Sequence, residues 1–212
     1  MDVGDAARER LGAYLDELYR WTGRLNLTTV PRDQAWARHV EESLALLAVA
    51  DPAPGATIVD IGSGAGLPGI PVAVVRPDLE VTLLEADARR SGFLVHVCGL
   101  LGLARVRVVT ARAETAGHDP AMREQFDLAV SRATAAAPAL CELALPLVRV
   151  GGRLAALVGD AATAARLARG AADVCGGGPP RPLTSSVLGV DKLRPTPDDY
   201  PRRAGLPGRR PL

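Results

Sequence analysis

Residues 57–71 of the chain read TIVDIGSGAGLPGIP, and this stretch decides the fold. Its first part, residues 58–61, is rich in β-branched side chains and is typical of a strand buried in a parallel sheet. Gly62, Gly64 and Gly66 then alternate with small residues, which allows a sharp turn and lets a ligand come close to the backbone. The pattern predicts a strand followed directly by a glycine-lined turn.

A short helix is predicted after the turn, from residue 67 to about 75. Pro68 would lie in the first helical turn, where a backbone N–H has no helical partner, and Pro77 should end the helix. Strand, glycine turn and helix in this order leave backbone N–H groups open at the carboxyl end of the strand. This arrangement is typical of a pocket for a nucleotide-like ligand.

The nature of that ligand depends on two acidic residues, because residues 64–69 also match the dinucleotide pattern G-x-G-x-x-G. Asp60 lies two residues before the first glycine, where it could meet an ammonium group directly or through water but would repel a pyrophosphate. Glu85 ends the next predicted strand and could bind ribose hydroxyls. We therefore predict S-adenosylmethionine as the cofactor, and an NAD-dependent oxidoreductase is the less favoured alternative.

The composition indicates one globular unit. The chain has 212 residues, of which 48% are hydrophobic and 23% charged. Its apolar runs are too short to span a membrane and its acidic start lacks the features of a signal peptide, so we expect a cytoplasmic protein without a membrane partner. Three distant cysteines and three histidines without ligand spacing predict neither a disulfide framework nor a metal site.

Positive charge is concentrated near one end of the sequence. The formal net charge is only +1, but residues 181–212 contain seven Lys and Arg against three Asp. Such a basic segment could be an arm that binds phosphates or a solvated terminus, and the sequence leaves both possibilities open.

The order of the predicted elements gives the fold class. Leu11, Tyr14, Leu15 and Leu18 recur at helical spacing, and a second amphipathic helix is predicted from Asp33. Strands and helices alternate from there on, which predicts an α/β fold with a doubly wound, mainly parallel sheet. We divide the unit into an N-terminal helical cap (1–50), a cofactor-binding domain (51–195) and a basic Pro/Arg-rich C-terminal tail (196–212).

The later elements are predicted from local patterns. The first helix should lose its pattern after Trp21. The strands after the second are expected at 105–109, 126–132, 153–158 and 186–192, with a short strand near residue 183. Glycines at 151–152 predict a turn, and residues 161–172 predict one Ala-rich helix.

Several motifs together give a resemblance to a known family. They are Trp21, Asn26-Leu-Thr28, Arg38-His39 with Ser43-Leu44, the extended glycine loop at 60–71, Leu83-Leu-Glu85, Arg112-Ala-Glu114 and Ser131-Arg132-Ala133. With them the chain resembles the bacterial small-subunit rRNA guanine-N7 methyltransferases, the glucose-inhibited division protein B family. The loop extension Gly-Leu-Pro-Gly-Ile-Pro is a specific mark, because ordinary methyltransferase loops lack it. The resemblance implies a Rossmann-like class I methyltransferase with a sheet of the seven-stranded type.

The resemblance also implies roles for individual residues. Gly62 and Leu67 would line the S-adenosylmethionine site, Glu85 would face the ribose, and Ala113 and Glu114 would border the adenine. Arg132 would lie beside both the donor and the target base. The full set of expected cofactor-binding residues is Asp60, Gly62, Gly64, Gly66, Leu67, Glu85, Ala113, Glu114 and Arg132.

The sequence around each residue supports these roles to different degrees. Arg132 follows the apolar residues 128–130 and has no packing reason to be charged, which makes it the candidate catalytic residue. Glu85 could instead be a solvated strand end, and Glu114 a surface helix cap. Contacts to 16S rRNA or the small ribosomal subunit, bound by a monomer, are expected from Arg38, His39, Arg89, Arg90, Arg112, Arg202 and Arg203.

The chemistry separates the two main candidate functions. Guanine N7 carries no proton, so methyl transfer to it needs alignment and no base. Transfer to a hydroxyl of a small metabolite must remove a proton and needs a base. Val158 replaces the lysine usual in the family and Glu42 replaces an aspartate, so a diverged paralogue acting on a metabolite is the alternative. A non-catalytic RNA-binding domain is less favoured, because the glycine loop is intact.

Overall fold

The centre of the computed structural model is a mainly parallel seven-stranded sheet. The structure describes residues 3–132 and 134–212. The strand order is β3-β2-β1-β4-β5-β7-β6, and β7 runs antiparallel to both of its neighbours. The strands are β1 Thr57–Ile61, β2 Glu80–Glu85, β3 Val106–Thr110, β4 Phe126–Arg132, β5 Val148–Leu157, β6 Arg181–Pro182 and β7 Val187–Asp191.

Helices cover both faces of the sheet. The α-helices are α1 Asp5–Leu25, α2 Glu42–Ala50, α3 Gly69–Val75, α4 Ala88–Leu100, α5 Ala113–Ala116, α6 Ala137–Ala144, α7 Ala161–Leu167, α8 Arg169–Val174 and α9 Leu206–Arg209. Two 3-10 segments, Arg32–Gln34 and Leu145–Leu147, and a π-helical segment, Trp36–Glu41, complete the set. Among the described residues, no helix has the length and apolar character needed to cross a membrane.

The sheet separates two hydrophobic clusters. Ile58 on β1 packs in one cluster with side chains of α1 to α4, whereas Val59 and Ile61 pack in the other with α6 to α8. Successive strand residues point to opposite faces, so each strand contributes to both clusters. The predicted doubly wound α/β class with its helical cap is confirmed.

The cap differs in detail from the prediction. Helix α1 continues to Leu25 and ends at Asn26, whose left-handed backbone (φ 49°) directs its N–H to the Thr22 carbonyl. The predicted second helix begins as the 3-10 and π-helical segments and becomes α-helical at Glu42. Helical spacing of apolar residues does not distinguish a π-helical from an α-helical turn, so the sequence could not show this change.

Two predictions in the second half of the chain are wrong. Gly151 and Gly152 do not form a turn before β5 but lie within that strand, where its register against β4 shifts. Gly152 has no room for a Cβ, which would lie 2.6 Å from the Asp127 carbonyl oxygen. The predicted helix over 161–172 is divided at Ala168 into α7 and α8.

Candidate active site

A cavity of about 530 Å³ opens at the carboxyl ends of β1, β2 and β4. We call it the donor cavity. The glycine loop forms one wall, and residues 26–30, between α1 and the first 3-10 segment, form another. Tyr14 fixes the cap against the glycine loop, because its hydroxyl donates to the Ala65 carbonyl at 3.0 Å. The volume lies in the range of small-molecule sites, and its position follows the rule for open α/β sheets.

Each glycine of the loop has its own structural reason. All three have positive φ values, 66° at Gly62, 54° at Gly64 and 93° at Gly66. A Cβ on Gly66 would lie 2.3 Å from Ile70 Cδ1, and one on Gly62 would lie 2.4 Å from Thr134 Cγ2. A Cβ on Gly64 would meet only the Gly62 carbonyl oxygen, at 3.8 Å. Gly64 is therefore the position at which the backbone stays open toward the cavity.

Asp60 lies beneath the loop and does not line the donor cavity. Its Oδ2 accepts from the Gly69 N–H at 3.0 Å, while Oδ1 is buried without a hydrogen-bond partner among the described residues. Burial raises the pKa of Asp60 to about 7, against the opposing effect of the Gly69 N–H. A positive charge in the cavity above would stabilise the ionised carboxylate. The site thus fits the ammonium and sulfonium charges of S-adenosylmethionine, and the contact of Asp60 with the ammonium group, direct or through water, stays a prediction.

Glu85 is a buried, preorganised acceptor at the end of β2. Its Oε2 accepts from the Gly64 N–H and its Oε1 from the Asp87 N–H, both at 2.8 Å. Each carboxylate oxygen can accept a second hydrogen bond, and Glu85 lines the cavity. Glu85 is only 6% exposed, so it is not a solvated strand end, and its role toward the ribose hydroxyls stays a prediction.

Glu114 is also buried, and its oxygens are occupied by protein groups. Arg112 donates to them at 3.0 and 3.2 Å, and the Gly205 N–H donates at 2.7 Å. Burial alone would raise the pKa of Glu114, but these hydrogen bonds outweigh it and lower the pKa. Glu114 borders the cavity as an ionised anchor that holds Arg112 and Gly205, and its neighbour Ala113 lines the cavity beside it.

Arg132, His39 and Thr28 form a chain of hydrogen bonds across the cavity. Arg132 donates from Nη1 to the Arg38 carbonyl and from Nη2 to His39 Nδ1 at 3.0 Å. Because arginine only donates, Nδ1 carries no proton, and His39 Nε2–H must donate to Thr28 Oγ1, 3.0 Å away. Burial and the nearby Arg132 charge lower the pKa of His39 to about 4. His39 is therefore a neutral residue that positions Arg132.

Comparison with known proteins identifies the family of the chain. The family model described as rRNA small subunit methyltransferase G matches residues 7–173. The chain belongs to this family. It is an S-adenosylmethionine-dependent methyltransferase of ribosomal RNA, which confirms the resemblance, the enzyme class and the cofactor predicted above.

Relatives agree with this assignment, and two solved structures share the fold. Ribosomal RNA small subunit methyltransferase G of Moorella thermoacetica is 39% identical over 94% of this chain and 88% of its own length. The protein of that name from Chloroflexus aggregans is 42% identical over 94% and 87%. A crystal structure of a Corynebacterium glutamicum protein shares the fold, with a TM-score of 0.59 and 19% identity over 86% of this chain and 90% of that one. TrmN of Thermus thermophilus has a TM-score of 0.54 and 21% identity over 79% and 55%.

The remaining expected contact residues of the methyltransferase lie in different environments. Arg90 lines the donor cavity, and Arg89 is exposed and donates to the Arg24 carbonyl at 3.1 Å. Arg38 is exposed and pairs with Glu42, and Arg203 is exposed. His39, by contrast, is only 1% exposed and cannot reach a phosphate outside, which corrects its assignment as an RNA-binding residue.

Arg202 is a second correction. Its guanidinium donates to both oxygens of Glu142, at 2.8 and 2.7 Å, and its backbone N–H donates to Oε1 at 2.8 Å. Glu142 is completely buried on α6, so this side chain neutralises a buried charge and anchors the tail rather than binding RNA. Glu142 lies 60 residues before Arg202 in the sequence, so the sequence of the tail alone does not show that this arginine is already paired.

Sequence reasoning missed two threonines of the site. Thr28 lines the cavity and accepts from His39 Nε2–H, and Thr134 lies over Gly62 and donates to the Ile61 carbonyl at 2.8 Å. Thr28 belongs to the motif Asn26-Leu-Thr28, which pointed only to the family. The π-helical segment Trp36–Glu41, which carries Arg38 and His39, is a structural signal of a functional site that the sequence did not show.

Proposed function

We propose that this methyltransferase transfers a methyl group to N7 of a guanine in the 16S rRNA of the small ribosomal subunit. The observation that supports this function best is the hydrogen bond from Arg132 to His39 Nδ1. It occupies the lone pair with which His39 would accept a proton. The donor cavity is therefore built for an acceptor that needs no deprotonation.

The acidic residues near the cavity lead to the same conclusion. Glu85 accepts from two backbone N–H groups, Glu114 is paired with Arg112, and Asp60 is buried outside the cavity lining. A hydroxyl of a metabolite would need a carboxylate or histidine within hydrogen-bond distance to remove its proton. Among the described residues that line the donor cavity, His39 and Glu114 are occupied by arginine partners, and Glu85 has its remaining acceptor capacity at the end of β2, where the cofactor's ribose is expected.

Catalysis then depends on alignment and charge. Bound S-adenosylmethionine supplies an electrophilic methyl group on its sulfonium. The chain contributes a rigid Arg132. Its guanidinium uses two of its five N–H groups to hold its position, and the other three can donate to the target nucleobase. Arginine is a usual hydrogen-bond partner of guanine O6, and a fixed donor at O6 leaves the N7 lone pair free to attack and lowers the barrier by holding the reacting atoms in line.

Binding of the RNA would rely on local positive charge, because the net charge of the whole chain is only +1. Two arginines, Arg90 and Arg112, line the donor cavity. Three more are exposed, namely Arg38, Arg89 and, in the tail, Arg203. We propose that these residues bind phosphates, with the protein acting as a monomer in the cytoplasm, where small subunits are located. Light scattering of the purified protein tests the monomer.

Mass mapping of methylated bases tests the function directly. Small-subunit rRNA from cells with and without the gene should differ at one guanine, and purified protein with S-adenosylmethionine should restore the N7-methyl group in vitro. The variant Arg132→Met should reduce the rate by about 100-fold or more while S-adenosylmethionine still binds. An unchanged rRNA, together with methylation of a small molecule by the purified protein, would assign the function to the metabolite alternative.

A further inference from the structure

A second cavity lies on the other side of Arg132. It has a volume of about 750 Å³ and is bordered by α2, by residues 135–137 and by the end of β5 with the start of α7. We call this second cavity the groove. Among the described lining residues, Arg132 alone belongs to both the groove and the donor cavity. A group that enters the groove therefore meets the donor cavity at Arg132.

The groove has the chemistry of a site for a flat, partly polar ring. Alanine, leucine and valine side chains line much of it, among them Val158 at the end of β5. The charged lining groups are Arg38, Glu42, Arg132 and Asp160. Apolar walls suit the faces of a nucleobase, and a few charged groups suit its edges.

Arg132 and Glu42 lie side by side at the entrance between the two cavities. Arg132 Nη1 is 3.7 Å from Glu42 Oε2, which is too long for a direct hydrogen bond. Both side chains are held by other groups, since Arg38 pairs with Glu42 Oε1 at 2.9 Å and Arg132 is bonded to His39 and to the Arg38 carbonyl. A fixed donor and a fixed acceptor thus stand next to each other with bonding capacity to spare.

We propose that Arg132 and Glu42 together recognise the target base as guanine, with Arg132 donating to O6 and Glu42 accepting from N1–H. The proposal rests on the proposed function. Around the edge of guanine the groups follow in the order N7, O6 and N1–H. In the protein the order is donor cavity, Arg132 and Glu42, so this pairing turns N7 toward the donor.

Adenine presents the opposite pattern at the same two positions. Its N6 amino group donates where guanine O6 accepts, and its N1 accepts where guanine N1–H donates. Arg132 would face a donor and Glu42 would face an acceptor, so the pair rejects adenine because the base would cover both groups without satisfying either. Asp160 is less suited to this role, because it already caps α7 by accepting from the Ala162 N–H at 3.2 Å.

Kinetics of Glu42 variants test the proposal on the full chain. Small subunits that lack the modification are the substrate, at saturating S-adenosylmethionine, and transferred methyl groups are counted. Glu42→Gln should lower kcat/KM by about 10- to 100-fold, since the amide has a single acceptor oxygen, which cannot serve both Arg38 and the N1–H of the base. Glu42→Asp should recover most of the rate. Glu41→Gln, an exposed neighbour outside the groove, is the matched control and should stay within about twofold of the wild type.

Subunits reconstituted with 1-methylguanine at the target position separate recognition from a structural role. The extra methyl group removes the N1–H, so the wild type should slow by a factor similar to that of Glu42→Gln. Glu42→Ala should be slow on both substrates and insensitive to the methyl group. S-adenosylmethionine affinity and Tm should be the same for wild type and variants, which a structural role would not allow.

Three results would overturn the proposal. They are full activity of Glu42→Gln, a larger loss for Asp160→Asn than for Glu42→Gln, and equal sensitivity of the wild type and Glu42→Ala to 1-methylguanine. If the wild type itself methylates no guanine N7 while it binds S-adenosylmethionine, the proposed function fails and this proposal fails with it.

Discussion

Replacement of Arg202 by methionine should destabilise the protein strongly, because it leaves Glu142 charged, buried and without its guanidinium. Removing one partner of a buried ion pair costs about 3–5 kcal/mol. We expect the lower end, about 3 kcal/mol, because the Arg202 side chain is 24% exposed and its backbone N–H still donates to Glu142 Oε1 in the variant. In a chain of this size each kcal/mol lowers Tm by about 2–4 °C, so the expected decrease is about 6–12 °C.

Thermal and urea unfolding at pH 7 measure the effect, with Arg203→Met as the matched control. Arg203 is the adjacent, exposed arginine, and its replacement should change Tm by less than about 2 °C. Adding Glu142→Gln to Arg202→Met should recover at least half of the loss, because the amide removes the buried charge and still accepts from the residue 202 N–H. A decrease below about 2 °C for Arg202→Met, or an equal decrease for both arginines, would refute the proposed anchor.

Three further predictions concern the cofactor, pH and salt. Gly64→Val should abolish S-adenosylmethionine binding in calorimetry, because the new side chain projects into the cavity where Gly64 is open. A non-glycine residue at the positive φ of Gly64 also costs stability, so Gly64→Ala is the milder companion variant. Micromolar binding retained by both variants would contradict the site. Asp60 has a folded pKa of about 7, raised above the unfolded value, so the unliganded protein should lose about 1.4 kcal/mol between pH 6 and pH 8, and Asp60→Asn should remove this change in urea titrations. Affinity for small subunits should fall as the salt concentration rises. Arg89→Met should reduce the magnitude of the slope of log K against log [salt] by about 0.7–0.9. A slope unchanged by the variant would exclude a phosphate contact at Arg89.

The sequence predicted the parts of the site that depend on local pattern. Gly62, Gly64 and Glu85 were located correctly at the cavity because a parallel strand, a glycine turn and the next strand end must meet at one sheet edge. The same rule located Arg132 at the carboxyl end of β4. These assignments need only the spacing of apolar residues and the position of glycines.

The parts that failed depend on contacts between distant residues. Arg202 looked available to RNA because nothing in residues 196–212 shows that Glu142 is buried and needs a partner. His39 was expected to contact RNA because the sequence does not show that it is buried between Arg132 and Thr28. Asp60 was expected to meet the ligand directly or through water, and the sequence does not show that its carboxylate lies beneath the loop, bonded to the Gly69 N–H.

We expect the hydrogen bond from the Gly205 N–H to Glu114 to form late in folding. Glu114 and Gly205 are 91 residues apart in the sequence. Another wall of the cavity, residues 26–30, follows α1, and α1 is bonded to the glycine loop through Tyr14 and Ala65, which are 51 residues apart. Contacts of such long sequence separation form late, because the chain must first close large loops. Completion of the cofactor cavity should therefore coincide with the last step of folding. In refolding experiments the onset of S-adenosylmethionine binding should lag behind the recovery of helical circular dichroism.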